Sequence, residues 1–180
     1  PWMDRYRWPI LFFVAVSFWN LVGAGLFGFL INTPIALYYM QGLNLTPLHG
    51  HTALFGVYGM LGIGLMLFCL RGLRAHAHWD QRLLATSFWG FNVGLALMAL
   101  LTLLPMGLLQ LDAALSEGYW YARSAEFMGS PLIETLVWLR VPGDTIFSVG
   151  AIALTLFTVR LWIGGRKAEA APLGTEAVAT

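Results

Sequence analysis

The sequence predicts an all-α integral membrane protein with four transmembrane helices. Three observations carry that expectation. Of 180 residues, 58% are hydrophobic and only 11% are charged, against about 25% charged in an average soluble domain. Four apolar runs exceed the length of about 20 residues that crosses roughly 30 Å of hydrocarbon. The ten basic residues are divided unevenly between alternate connections of these runs. The same figures exclude other classes. A net charge of +1 supplies no general basic field for nucleic-acid phosphates. The single cysteine, Cys69, excludes an internal disulfide and a Cys-x-x-Cys-His haem attachment. It reads as a small buried hydrophobe.

The first run, 8–31, carries no charge. It is too long for the apolar core of a signal peptide and lacks a small-residue cleavage pattern. The second, 46–70, is uncharged apart from His49 and His51, and the third is 83–110. The fourth, 141–163, has Asp144 near one end and Arg160 near the other. The connection 111–140 contains a predicted interfacial helix. Ser130-Pro131 places Pro at a first helical position, and Leu132, Leu136 and Leu139 share a face with Ile133. A break is expected near Pro142-Gly143. Tyr119, Trp120, Tyr121 and Trp138 suit the membrane–water boundary. Residues 1–167 thus form a transmembrane region, and 168–180, rich in Ala, Gly and Thr, is expected to be a disordered tail.

Charge sets the orientation. Arg5, Arg7, Arg71, Arg74, Arg82, Arg160, Arg166 and Lys167 fall on one side. Only Arg123 and Arg140 fall on the other, with Asp112, Glu117, Glu126, Glu134 and Asp144. The positive-inside rule places both termini in the cytoplasm, in a cell inner membrane.

An ionisable residue inside a span is costly and needs a reason. His49 and His51 stand near the outer end of the second run. Two positions on an α-helix differ by about 200° at 3.6 residues per turn. The imidazoles therefore point to nearly opposite sides and cannot chelate one metal as an i, i+4 pair does. Each can hold a separate large group, and neutral imidazole suits two haem irons. Gly50 between them removes a side chain where two macrocycles would crowd the helix. The alternative is a pair of hydrogen-bond donors within the bundle or on a proton path. His76 and His78 repeat the spacing in the basic connection, where a solvated role is expected, so spacing alone decides nothing.

Other intramembrane features read as packing. These are Gly56, Gly59, Gly62 and Gly64 in the second run, Gly90 and Gly94 in the third, and Gly23, Gly25 and Gly28 in the first. Small residues let helices approach closely in lipid. Met60, Met66, Met98 and Met106 are core fillers, and Asn20 and Asn92 are interhelical hydrogen-bond partners. Asp144 opens the fourth run, where a carboxylate caps orphan N–H groups or accepts a proton from a quinol head group. Arg140 is placed to pair with it, to anchor lipid phosphate or to meet a haem propionate.

The stretch LINTPIALYYMQGLNLTPLHGHTALFGVYGMLGIGLMLFCLRGL, from Leu30 to Leu73, resembles the large subunit of nitric oxide reductases in the haem–copper oxidase superfamily. GYWYARSAEF (Gly118 to Phe127) and RVPGDTIF (Arg140 to Phe147) resemble its quinol-dependent form. The resemblance implies that the four spans correspond to helices nine to twelve of a twelve-helix catalytic subunit. It implies His49 as ligand of the high-spin haem b iron and His51 as ligand of the low-spin haem b iron. It also implies Asp144 on the quinol side, and an activity that reduces two NO to N2O with electrons from quinol. The ligands of the non-haem iron would lie in earlier helices of the same enzyme, outside this chain. The chain begins at Pro1 and is expected to be the C-terminal portion of that enzyme, inactive alone, with no catalytic residue of its own. Two alternatives remain: part of an oxygen-reducing haem–copper oxidase subunit I, and a small non-catalytic haem-binding membrane subunit.

Overall fold

The computed structural model describes residues 2–75 and 77–169; the expected tail beyond residue 169, and His76, lie outside the described residues. The regular structure of the described residues is entirely helical, with no strand among them. Four helices are long and apolar enough to cross a membrane: α1 (Arg7–Asn32), α2 (Leu45–Leu73), α3 (Gln81–Ser116) and α4 (Pro131–Gly164). Helical backbone continues past α4 to Glu169.

Local chemistry sets the helix ends. Thr33 is extended, with ψ 141°, as the residue before a proline must be. It ends α1, and Pro34 opens a short helix, Pro34–Met40, in the connection. Gly42 then turns the chain with φ +72°, a conformation open to glycine. Asp80 caps α3, its side chain accepting from the N–H groups of Arg82 and Leu83.

The break in α4 lies three residues before its expected place. Helical turns run over Pro131–Trp138, and the next helical segment starts at Arg140, leaving Leu139 as the joint. Pro142 lacks an N–H, and its ring presses on the carbonyl four residues earlier. The disruption therefore falls one turn before the proline. Pro142 itself occupies a first turn, where no donor is needed.

α1 packs on α2, α3 packs on α4, and α3 also touches α1 and α2. The core joins Phe12 and Trp19 of α1, Met60 and Leu67 of α2, Leu84, Phe91 and Leu95 of α3, and Phe157 of α4. Phe55, Phe91 and Phe147 meet with ring centroids 4.6–5.1 Å apart, within the range of favourable edge and offset contacts. Trp19 Nε1 donates to Asn92 Oδ1 at 2.9 Å, so Asn92 is an interhelical partner. Asn20 instead lies on the exposed face of α1.

Glycines bring two of the interfaces to backbone contact. A Cβ on Gly90 would stand 2.7 Å from the Gly150 Cα, and one on Gly94 would stand 2.7 Å from the Phe147 nitrogen. The α3 pattern therefore finds its partners in Gly143 and Gly150 of α4. Across α1–α2, a Cβ on Gly23 would meet Thr52, and one on Gly56 would meet Trp19. Here the two helices wind as wider π-turns, over Asn20–Phe27 and His51–Gly59. Such turns are rare and concentrate at functional sites.

Cys69 is exposed, on the outer stripe of α2 with Leu65 and Phe68. Its expected burial fails for a physical reason. In lipid the outer surface is as apolar as the interior, so an apolar neighbourhood does not imply burial.

Arg5, Arg71, Arg74 and Arg160 gather at one end of the bundle. Arg71 Nε donates to the Arg5 carbonyl at 2.8 Å, and Arg5 donates to the Ala75 carbonyl at 3.3 Å. Arg160 pairs with Asp80 at 3.0 Å. Arg123 and Arg140 stand at the other end, where Arg123 donates to the Gln41 carbonyl at 2.8 Å and lies over the Tyr119 ring.

Candidate haem-ligand histidines

Both intramembrane histidines are half-buried, and both rings are held by backbone carbonyls. His49 Nδ1 lies 2.9 Å from the carbonyl oxygen of Gly23, on α1. His51 Nδ1 lies 2.7 Å from the carbonyl oxygen of Pro47, one turn back on α2. A carbonyl oxygen only accepts, so Nδ1 must donate in each pair. In the neutral ring this leaves the lone pair on Nε2. That arrangement is the one that orients metal-bound imidazoles and fixes their tautomer.

The two rings occupy different settings. His49 sits at the α1–α2 interface against bare backbone: a Cβ on Gly28 would stand 2.8 Å from its Cε1. His51 begins the π-helical stretch of α2 and is tied to its own helix. Nothing lies within 4 Å of the position a Cβ on Gly50 would take, so the strip between them is open. No group of three or more His, Cys, Asp or Glu side chains in metal-binding reach occurs among the described residues. Each ring is anchored to a different helix, His49 to α1 and His51 to α2 itself, and each keeps Nε2 free of the carbonyl that holds the ring. Open space beside paired, carbonyl-held imidazoles fits haem.

Asp144 does not cap a helix. Helical turns begin well before it, and its carboxylate accepts from Arg140 Nε at 3.0 and 3.3 Å. Of the roles open to Arg140, the structure shows the ion pair, partly exposed on both sides. His78, in the α2–α3 connection, is exposed and lies outside the four long helices.

One positioning contact is invisible in the sequence. Gln110, buried on α3, accepts from the backbone N–H of Asn44 at 2.8 Å and from its side-chain amide at 2.9 Å. Its own amide donates to the Ala122 carbonyl at 3.3 Å. Gln110 thereby pins the start of α2, just ahead of the histidines, to α3 and to the 111–140 connection. Its place at the end of an apolar run carries no signal of that role.

Fold and histidines together define a class: a helical segment of membrane-spanning length that carries two carbonyl-held imidazoles near one end of its second long helix. The sequence pattern of the cytochrome c and quinol oxidase polypeptide I family matches residues 2–146, which include α1 to α3, both histidines and Asp144. The chain belongs to that family, the haem–copper oxidase subunit I family. It is similar to a nitric oxide reductase subunit of Stutzerimonas stutzeri, with 28% identity over 153 residues, covering 77% of this chain and 31% of that protein. The chain therefore spans less than a third of that relative's length. Membership of the family implies haem.

Proposed function

We propose that this chain is part of a quinol-dependent nitric oxide reductase in a cell inner membrane, with both ends of the segment on the cytoplasmic side. The observation that carries the reading is the pair of carbonyl-held imidazoles, His49 to Gly23 and His51 to Pro47. Family membership and likeness to a protein named as a nitric oxide reductase subunit support it. His49 Nε2 would hold the high-spin haem b iron and His51 Nε2 the low-spin haem b iron. When bound, these groups supply one-electron redox chemistry. The chain's own residues would hold the two irons on separate ligands, and the Gly23 and Pro47 carbonyls fix each ligand's tautomer. A non-haem iron and its ligands would come from other helices of the same enzyme. The overall reaction is two NO, two electrons and two protons giving N2O and water.

The full-length enzyme, supplied with quinol under anaerobic NO, is expected to form N2O. Oxygen consumption in place of N2O formation would move the chain to the oxygen-reducing branch of the family. Asp144, paired with Arg140 at the end remote from most of the arginines, is proposed to take the quinol proton. Asp144→Asn is expected to slow quinol-driven turnover roughly 100-fold, the usual scale of a lost general base. Turnover with an artificial electron donor should persist. Equal loss with both donors would leave Asp144 with only its ion-pair role.

A further inference from the structure

The basic end of the bundle contains a cavity of about 640 Å³, within the usual range of about 300–1,000 Å³ for ligand sites. It opens between Leu73, Arg74 and His78 on one side and Phe157, Arg160 and Leu161 of α4 on the other. Phe157 is backed by Trp79, with ring centroids 5.1 Å apart. Arg71 lies 4.3 Å above that Trp79 ring, adding positive charge behind the apolar wall.

Among the described residues the charge at the rim is unbalanced. One described carboxylate, Asp80, lines the cavity, and its oxygens are engaged. Oδ1 accepts from the N–H groups of Arg82 and Leu83 at 3.1 and 3.2 Å, and Oδ2 accepts from Arg160 Nη1 at 3.0 Å. The Leu83 N–H, joined by the Arg82 N–H and the Arg160 charge, holds the Asp80 carboxyl below its ordinary range, so it is ionised at neutral pH. Arg160 donates through a single nitrogen, which leaves most of its N–H groups for another acceptor. The Arg74 side chain has no hydrogen bond or ion pair among the described residues. Among the described residues, two arginines and a histidine thus face one satisfied carboxylate, over apolar walls, at the end of four membrane-length helices.

We propose that this cavity binds an anionic phospholipid, its phosphate on Arg74 and Arg160 and its upper chain along Leu73 and Leu161. A free phosphate shares the charge but not the need for the apolar wall. The site lies at the end of the bundle remote from Asp144 and does not depend on the haem reading.

The test uses the full-length protein with vesicles of phosphatidylcholine, with and without phosphatidylglycerol, and measures retained lipid by native mass spectrometry. Preferential retention of phosphatidylglycerol is expected. Arg74→Gln should weaken it about fivefold, and the double change with Arg160→Gln about thirtyfold, from the typical contribution of one arginine near anionic lipid. Asp80→Asn is the decisive companion. It breaks the same ion pair as Arg160→Gln but keeps the cation, and asparagine still caps a helix. Retention should hold or rise. A loss on Asp80→Asn equal to that on Arg160→Gln would show that retention follows the fold rather than the charge, and would overturn the proposal. Equal retention of phosphatidylcholine would also overturn it, as would displacement of the lipid by inorganic phosphate.

Discussion

His51→Ala in the full-length enzyme is expected to abolish the low-spin haem spectrum, and His49→Ala to abolish or shift the high-spin one. The separation follows from the geometry. Each imidazole is held by its own carbonyl, Pro47 for His51 and Gly23 for His49, so neither ring supports the other. Losing one leaves the other ligand's orientation and tautomer intact. On the proposed reading, in which electrons pass both haems, turnover should be lost in either variant. Optical and electron paramagnetic resonance spectra of the purified variants read the two haems independently. His78→Ala supplies the control. It has the same residue type and the same two-residue spacing from a neighbouring histidine, but it lies in the α2–α3 connection, outside the long helices, and both spectra should be unchanged. Two normal haems in both His49→Ala and His51→Ala would remove the ligand assignment. Simultaneous loss of both signals in each variant would mean that the histidines act through the fold.

The features legible in the sequence are those set by one helix at a time. Lipid demands a minimum apolar length, so the four long helices show as runs. The presence of two imidazoles on one long helix is an intrahelical matter, read from their positions inside a single apolar run. Features that depend on how helices face one another are hidden, because an apolar helix in lipid shows no hydrophobic side to reveal its rotation. Hence Gly90 and Gly94 read as a frequent pattern, while their partners Gly143 and Gly150 are found only in the contact itself. The carbonyls that hold the histidines are hidden for a different reason. Every residue carries one, so no residue type marks Gly23 or Pro47. Gln110 is a polar residue at the margin of a run, and its role needs Asn44, 66 positions away in sequence. The joint at Leu139 is displaced from the visible proline because a proline disturbs the turn before it.

Gly23→Val is expected to separate stability from ligation in a way that tests the α1–α2 interface. A Cβ at this position would stand 2.7 Å from the Thr52 Cβ, 2.7 Å from the Thr52 carbonyl oxygen and 2.8 Å from its carbon. Two of these three atoms are backbone, so no rotamer change relieves the contact and α1 must move away from α2. Overpacking of this kind costs about 1–3 kcal/mol or more. In lipid, where close packing rather than the hydrophobic effect holds helices together, little compensates it. The thermal midpoint of the full-length protein should fall accordingly. The displacement also carries the Gly23 carbonyl away from His49 Nδ1, a contact of 2.9 Å. The His51 contact runs from α2 to α2 and travels with the helix. Gly23→Val should therefore perturb the high-spin spectrum strongly and the low-spin spectrum weakly, at a temperature where the protein remains folded. Equal perturbation of both would place the two histidines on a common support. An unchanged midpoint would mean that α1 and α2 do not meet at Gly23.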